Sequence, residues 1–171
     1  FSCLDHPDGL LLKTREHESF LVLNGTQTQS AKVYNLVDAL DDMQNLGNYS
    51  NGLAYCSGKL ANVLFARALA TRLAGDGIVA HAMHPGAVDS RFFDRIDEDA
   101  QARVRDLPKV SVEEGADTLI WLATAEEPGR SSGLYWHKRA LRAPNPVVDD
   151  AAFVARFWDE SEKLVARAGV G

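Results

Sequence analysis

A tyrosine and a lysine stand four residues apart, at Tyr55 and Lys59, within a stretch whose apolar spacing predicts a helix over Leu53–Ala74. Residues four apart leave the same face of a helix about one turn from each other. A lysine ammonium beside a phenol favours the phenolate and so lowers a tyrosine pKa that is normally about 10. Such a tyrosine can give or take a proton at a hydroxyl or carbonyl carbon. The alternative for an isolated pair of this kind is a solvated contact on an exposed helix face.

The elements around this pair alternate between strands and helices. Gly75-Asp76-Gly77 ends the helix, and the apolar run Ile78–Met83 after it is typical of a buried parallel strand, as is Ser19–Asn24 before it. The pattern further predicts a helix end over Leu10–Lys13, a helix from the capping box Ser111–Glu114 to about Ala125, a strand at Leu134–Trp136, and a last helix capped by Asp149 with Phe153, Phe157 and Leu164 towards the core. This alternation predicts a parallel α/β sheet in a single domain over residues 1–171.

Composition excludes several classes of protein. The chain has 171 residues, of which 46% are hydrophobic, and 18 basic against 24 acidic residues give a net charge of −6. This balance argues against a nucleic-acid-binding protein, and no apolar run approaches the ~20 residues of a membrane span. The two cysteines, Cys3 and Cys56, make no disulfide framework, and the first residues do not resemble a signal peptide, so we expect a cytoplasmic protein. The start at Phe1 rather than Met suggests a truncated chain.

Three other patterns have a structural explanation. Gly75–Ala80 fits G-x-G-x-x-A, but it runs from a helix into a strand, whereas a dinucleotide loop runs from a strand into a helix. Gly52–Lys59 has five residues before Gly-Lys instead of four and lacks the Ser or Thr that follows in a phosphate loop. His81 and His84 are three apart on a strand, which puts them on opposite faces, so we expect packed or capping histidines and no metal site.

Several segments, in the correct order, carry a family resemblance. Ala54–Phe65 reads A-Y-C-S-G-K-L-A-N-V-L-F and is similar to the active-site helix of the short-chain dehydrogenase/reductase family, in its retinol-dehydrogenase-like branch. The other segments that resemble this branch are Asp41–Gln44, His84–Ser90, Val112–Ala116 and Ser132–Trp136. The resemblance extends from about Leu40 to the end of the chain.

This resemblance implies an NAD(P)-dependent oxidoreductase that acts on a lipophilic alcohol or carbonyl compound, with NADP or NAD as cofactor and NADP favoured. Tyr55 would be the general acid/base, and Lys59 would hold the ribose hydroxyls of the nicotinamide half and keep the tyrosine pKa low. The segment after the following strand would contact the nicotinamide carboxamide and the diphosphate region through Pro85, Gly86, Val88 and Ser90.

The sequence also departs from the family. The phosphate loop T-G-x-x-x-G-I-G is absent, so the expected fold is a Rossmann-like parallel sheet with flanking helices that lacks the N-terminal βαβ phosphate-binding half. The family serine that ends the strand before the active-site helix is missing as well, and Thr26, Gln27 and Thr28 are its candidate replacements, with Thr26 the catalytic candidate. Gly58 stands where the family usually has a serine.

These departures leave a second interpretation open, in which the chain is a truncated, non-catalytic fragment or an interaction module of the same fold. A sheet without its first strands would expose an apolar edge and face. We therefore expect the chain on its own to aggregate or to form a homodimer.

Overall fold

The computed structural model describes residues 11–15, 18–24, 40–44, 46–47, 49–91, 101–102 and 105–169. The strands are β1 Leu11–Arg15, β2 Glu18–Asn24, β3 Ile78–Met83, β4 Ala87–Val88, β5 Lys109–Val110, β6 Tyr135–His137 and β7 Ala140–Leu141. The helices are α1 Asn51–Arg72, α2 Val112–Thr124 and α3 Ala151–Arg167, with 3-10 turns at Pro128–Arg130 and Pro146–Asp149. No helix in these ranges is long and apolar enough to cross a membrane.

A five-stranded sheet with the order β1-β2-β3-β6-β7 forms the centre of the fold. Its three inner strands are parallel: β2 pairs with β3, and β3 pairs with β6. The helix α1 connects β2 to β3, and α2 lies in the connection from β3 to β6. A helical crossover between parallel neighbours is the repeating unit of Rossmann-like folds, so the predicted α/β class is confirmed.

The edges of the sheet differ from the all-parallel expectation, because β1 and β7 both pair antiparallel. The prediction of a helix end at Leu10–Lys13 is wrong, since Leu11 pairs with Val22 and Arg15 with Glu18. A short apolar run does not distinguish helix from strand by itself, and the N–H and C=O groups of β2 offer it a ladder. β1 therefore pairs with the side of β2 that faces away from β3.

The two faces of the sheet are packed by different helices. Along β3, Ala80 and Ala82 join a core cluster with residues of α1 and α3, whereas Met83 packs in a second cluster with Leu122 of α2. Successive side chains of a strand point to opposite faces, so this alternation puts α1 and α3 on one side and α2 on the other.

The predicted helix boundaries are close to those observed. The α2 capping box is present, with the Glu114 N–H donating to Ser111 Oγ at 3.1 Å and the Ser111 N–H donating to Glu114 Oε2 at 2.8 Å. The cap predicted for the last helix is off by one residue. Asp150 accepts from the N–H groups of the first turn of α3, while Asp149 ends a 3-10 turn and pairs with Arg67 of α1.

Candidate functional site

The direction of α1 determines where its functional residues lie. The helix has 22 residues, which corresponds to about 33 Å. Only the turn Leu73–Gly77 separates its end from the start of β3, so its C-terminal end lies at the edge where the parallel strands begin. Its first turns therefore lie at the opposite edge, where β2 and β3 end. Ligand sites of open α/β sheets form at that edge.

Tyr55 and Lys59 occupy the first turns of α1, on one face as the spacing predicted. Ser50 caps this end of the helix, where its hydroxyl accepts from the Leu53 N–H at 3.2 Å. The Lys59 ammonium lies 5.7 Å from the centroid of the Tyr55 ring, within the range of a cation–π contact. Tyr55 is 39% exposed, so solvent and small molecules reach it. Gly58 between them is exposed, and a Cβ added there would meet nothing within 4 Å.

The segment Pro85–Ser90 lies at the same edge, because it follows β3 directly. Gly86 has φ +90°, a conformation that side chains disfavour, and a Cβ there would lie 3.1 Å from Val110 Cγ2. In the same segment, the backbone N–H of Asp89 donates to the Val110 carbonyl at 2.9 Å. The Asp89 carboxylate forms a salt bridge with the Lys109 ammonium at 3.3 Å. Ser90, which ends the segment, is exposed.

Val88 is held against α2 by a glycine. A Cβ at Gly115 would lie 2.5 Å from Val88 Cγ2, a distance that no real side chain tolerates. Gly115 belongs to the family-like segment Val112–Ala116, and this packing role was not predicted from the sequence. A glycine in the first turn of a helix, beside the strand that follows a Pro-Gly turn, is the signal that could have indicated it.

The fold thus brings Tyr55 and Lys59 to the edge of the sheet that also carries the Pro85–Ser90 segment. Thr26, Gln27 and Thr28, the candidate replacements for the family serine, lie outside the described residues.

His84, directly after β3, is part of this edge and was not predicted as a functional residue. Its backbone N–H donates to the Trp136 carbonyl at 2.8 Å, and its backbone carbonyl accepts from Nδ1 of His137 at 2.9 Å. The centroids of the His84 and His137 rings lie 5.0 Å apart. Burial lowers the pKa of His84 to about 4, and the charges of Arg142 and His137 act in the same direction. The His84 ring is therefore neutral at neutral pH.

His81 is a packed histidine, as we interpreted it. It is 1% exposed, and its Nε2 lies 3.0 Å from the Pro128 carbonyl. Its Nδ1 accepts from the Leu134 N–H and from Trp136 Nε1, both at 3.2 Å. Within the described ranges, no group of three His, Cys, Asp or Glu side chains could hold a metal ion.

No protein-family model matches this chain. Human retinol dehydrogenase 12 is 36% identical over 125 residues, which are 72% of this chain and 40% of that protein. Mouse retinol dehydrogenase 13 is 32% identical over 145 residues, which are 81% of this chain and 43% of that protein. This chain is related to the short-chain dehydrogenases/reductases. As a relative of this family, it spans about two fifths of the length of the curated proteins it matches.

Among solved structures, the crystal structure of an NADPH-bound carbonyl reductase from chicken fatty liver matches this chain with 17% sequence identity. The match covers 74% of this chain and 42% of that chain, with a TM-score of 0.45.

Proposed function

We propose that this chain provides the proton-transfer and nicotinamide-binding side of an NAD(P)-dependent oxidoreductase acting on a lipophilic alcohol or carbonyl compound. The observation that carries the proposal is the Lys59 ammonium over the Tyr55 ring, at the edge where Pro85–Ser90 leaves β3. The sequence relatives, which are named as retinol dehydrogenases and oxidoreductases, support the reaction class.

The residues present fit the nicotinamide half of such a cofactor. Gly86 adopts a positive φ, so its turn presents backbone without a side chain, and Val88 beside it offers an apolar surface. Lys59 offers hydrogen-bond donors at the same edge, which suit ribose hydroxyls. The bound nicotinamide, of NADP or NAD, would supply or accept the hydride.

The protein groups in this proposal bind, orient and move a proton. Tyr55 gives a proton to the substrate oxygen during reduction and takes it back during oxidation, as its exposed position allows. Lys59 holds the ribose hydroxyls, and Pro85, Gly86 and Val88 hold the carboxamide. Ser90 contacts the diphosphate region. The donor to the substrate oxygen comes from Thr26, Gln27 or Thr28, with Thr26 the first candidate.

The test uses the full chain and a matched pair of tyrosine variants. NADPH and NADH binding are measured by fluorescence, and reduction of a long-chain aldehyde is followed by loss of reduced cofactor. We expect Tyr55→Phe to lower the rate at least about 10²-fold, the usual contribution of a general acid. Tyr49→Phe, which removes a hydroxyl that bonds Asn51 on an exposed tyrosine, is the control and should leave the rate unchanged. Equal rates for the two variants would contradict the role of Tyr55.

The second candidate, which the departures from the family pattern leave open, is a non-catalytic interaction module or homodimer of the same fold. Sedimentation and cofactor titration of the same folded sample separate the two. Binding of neither NADPH nor NADH by a stable dimer supports the module. Cofactor binding followed by turnover supports the enzyme.

A further inference from the structure

The backbone of His84 is tied to β6 on both sides, just before the chain turns away at Pro85. The His84 N–H donates to the Trp136 carbonyl at 2.8 Å, in continuation of the parallel ladder. The His84 carbonyl accepts from a side chain, Nδ1 of His137, at 2.9 Å. A carbonyl can only accept, so this nitrogen carries the proton.

The side chain takes the place of a missing ladder bond. In this register Ala82 donates to Leu134 and His84 donates to Trp136, so the regular donor to the His84 carbonyl would be the N–H of Lys138. Lys138 has φ 50°, because the two-residue turn into β7 begins there. This turn diverts the backbone, and the imidazole of the preceding residue makes the bond instead.

The turn that carries His137 is itself anchored to α2. The Arg139 N–H donates to the buried Thr118 Oγ1 at 3.1 Å. The Arg139 Nε donates to Asp117 Oδ2 at 2.7 Å, and a second guanidinium nitrogen binds the other carboxylate oxygen. Hydrogen bonding from Arg139 lowers the pKa of the Asp117 carboxyl, so the pair stays ionised at neutral pH. His137 thus extends from a fixed base.

We propose that His137 is a positioning residue for the cofactor turn: its Nδ1–H fixes the His84 carbonyl and thereby the direction in which Pro85 and Gly86 leave the sheet. This inference rests on the function proposed for that turn. Pro85 has no N–H with which to anchor itself, so the His84 carbonyl is the last ladder group before the turn. Gly86, which has φ +90°, adds conformational freedom directly after it.

Two variants of the full chain separate the donor from the ring. His137→Asn keeps an N–H donor at the position of Nδ1, and His137→Phe keeps a ring without a donor. NADPH and NADH dissociation constants are measured under conditions in which urea titration shows that the wild type and both variants are fully folded. We expect His137→Phe to weaken binding about five- to tenfold, the contribution of one hydrogen bond, and His137→Asn to stay within about twofold of the wild type.

Amide hydrogen exchange over His84–Val88 is measured on the same samples and requires no cofactor. We expect at least tenfold faster exchange in His137→Phe than in His137→Asn. If the wild type binds neither cofactor, the proposed function fails, and the exchange alone decides the positioning of the turn. Equal exchange rates in His137→Phe and His137→Asn would overturn the inference. If the wild type binds a cofactor, equal affinities of the two variants for that cofactor would also overturn it. So would a loss confined to the free energy of unfolding.

Discussion

Trp136 donates its indole N–H to Nδ1 of His81 at 3.2 Å. The two rings are nearly perpendicular, with their centroids 5.7 Å apart. The same Nδ1 accepts from the Leu134 N–H, so the ring proton is on Nε2, which donates to the Pro128 carbonyl. One buried imidazole therefore joins β3, β6 and the 3-10 turn that follows α2.

Loss of this imidazole should be costly. We expect His81→Phe to lower the free energy of unfolding by about 3 kcal/mol, because it leaves a buried indole N–H and a backbone N–H without an acceptor. Urea titrations of His81→Phe, Trp136→Phe and the double variant measure the coupling of the pair. The prediction requires a coupling above about 0.5 kcal/mol, and strict additivity would refute it.

The stability of the fold should fall in mild acid. Burial lowers the pKa of His81 from 6.5, and burial, Arg142 and His137 lower that of His84 to about 4. Below pH 6.5 the unfolded chain binds protons that the folded chain does not, so the free energy of unfolding decreases as the pH falls from about 6.5 to about 4. Urea titrations across this range should show a shallower decrease for His84→Asn than for the wild type. Parallel curves would exclude His84 as a contributor.

Gly58 should be replaceable with a gain in stability. It lies in the interior of α1, and a Cβ there meets nothing within 4 Å. We expect Gly58→Ala to raise the free energy of unfolding by up to ~1 kcal/mol, from the difference in helix propensity. Gly75→Ala is the matched control: it also meets nothing within 4 Å, but its φ of +96° should make it destabilising. Thermal or urea unfolding that ranks the two variants in the opposite order would contradict this prediction.

Gly115 should not be replaceable. Its Cβ would lie 2.5 Å from Val88 Cγ2, so Gly115→Ala must displace Val88 or α2. Overpacking of this kind costs about 1–3 kcal/mol. Val88→Ala in the same chain removes the clashing methyl groups, so the double variant should recover part of the loss in urea titrations. Simple addition of the two losses would show that the clash is not the cause.

Local patterns were sufficient for several parts of the molecule. The long run of good helix formers predicted α1 and, through the four-residue spacing, the face shared by Tyr55 and Lys59. The Ser111–Glu114 capping box predicted the start of α2, because its bonds join residues only three apart. An unbroken apolar run predicted β3. Each of these features depends on residues that are close to one another in the sequence.

Pairing between distant segments decided the rest. The run at Leu11–Arg15 is a strand because β2 offers it a ladder, and its own sequence is compatible with either structure. His137 and His84 are 53 residues apart in sequence, so no periodicity in the chain indicates that one ring binds the carbonyl of the other. The same holds for Gly115 and Val88, which only the packing of α2 against β4 brings together. The sequence by itself determined the helices α1, α2 and α3 and the shared face of Tyr55 and Lys59, since these follow from local propensity. The tertiary structure decided the edges of the sheet and the contacts around the Pro85 turn, because hydrogen bonds and van der Waals contacts there join residues that only folding makes neighbours.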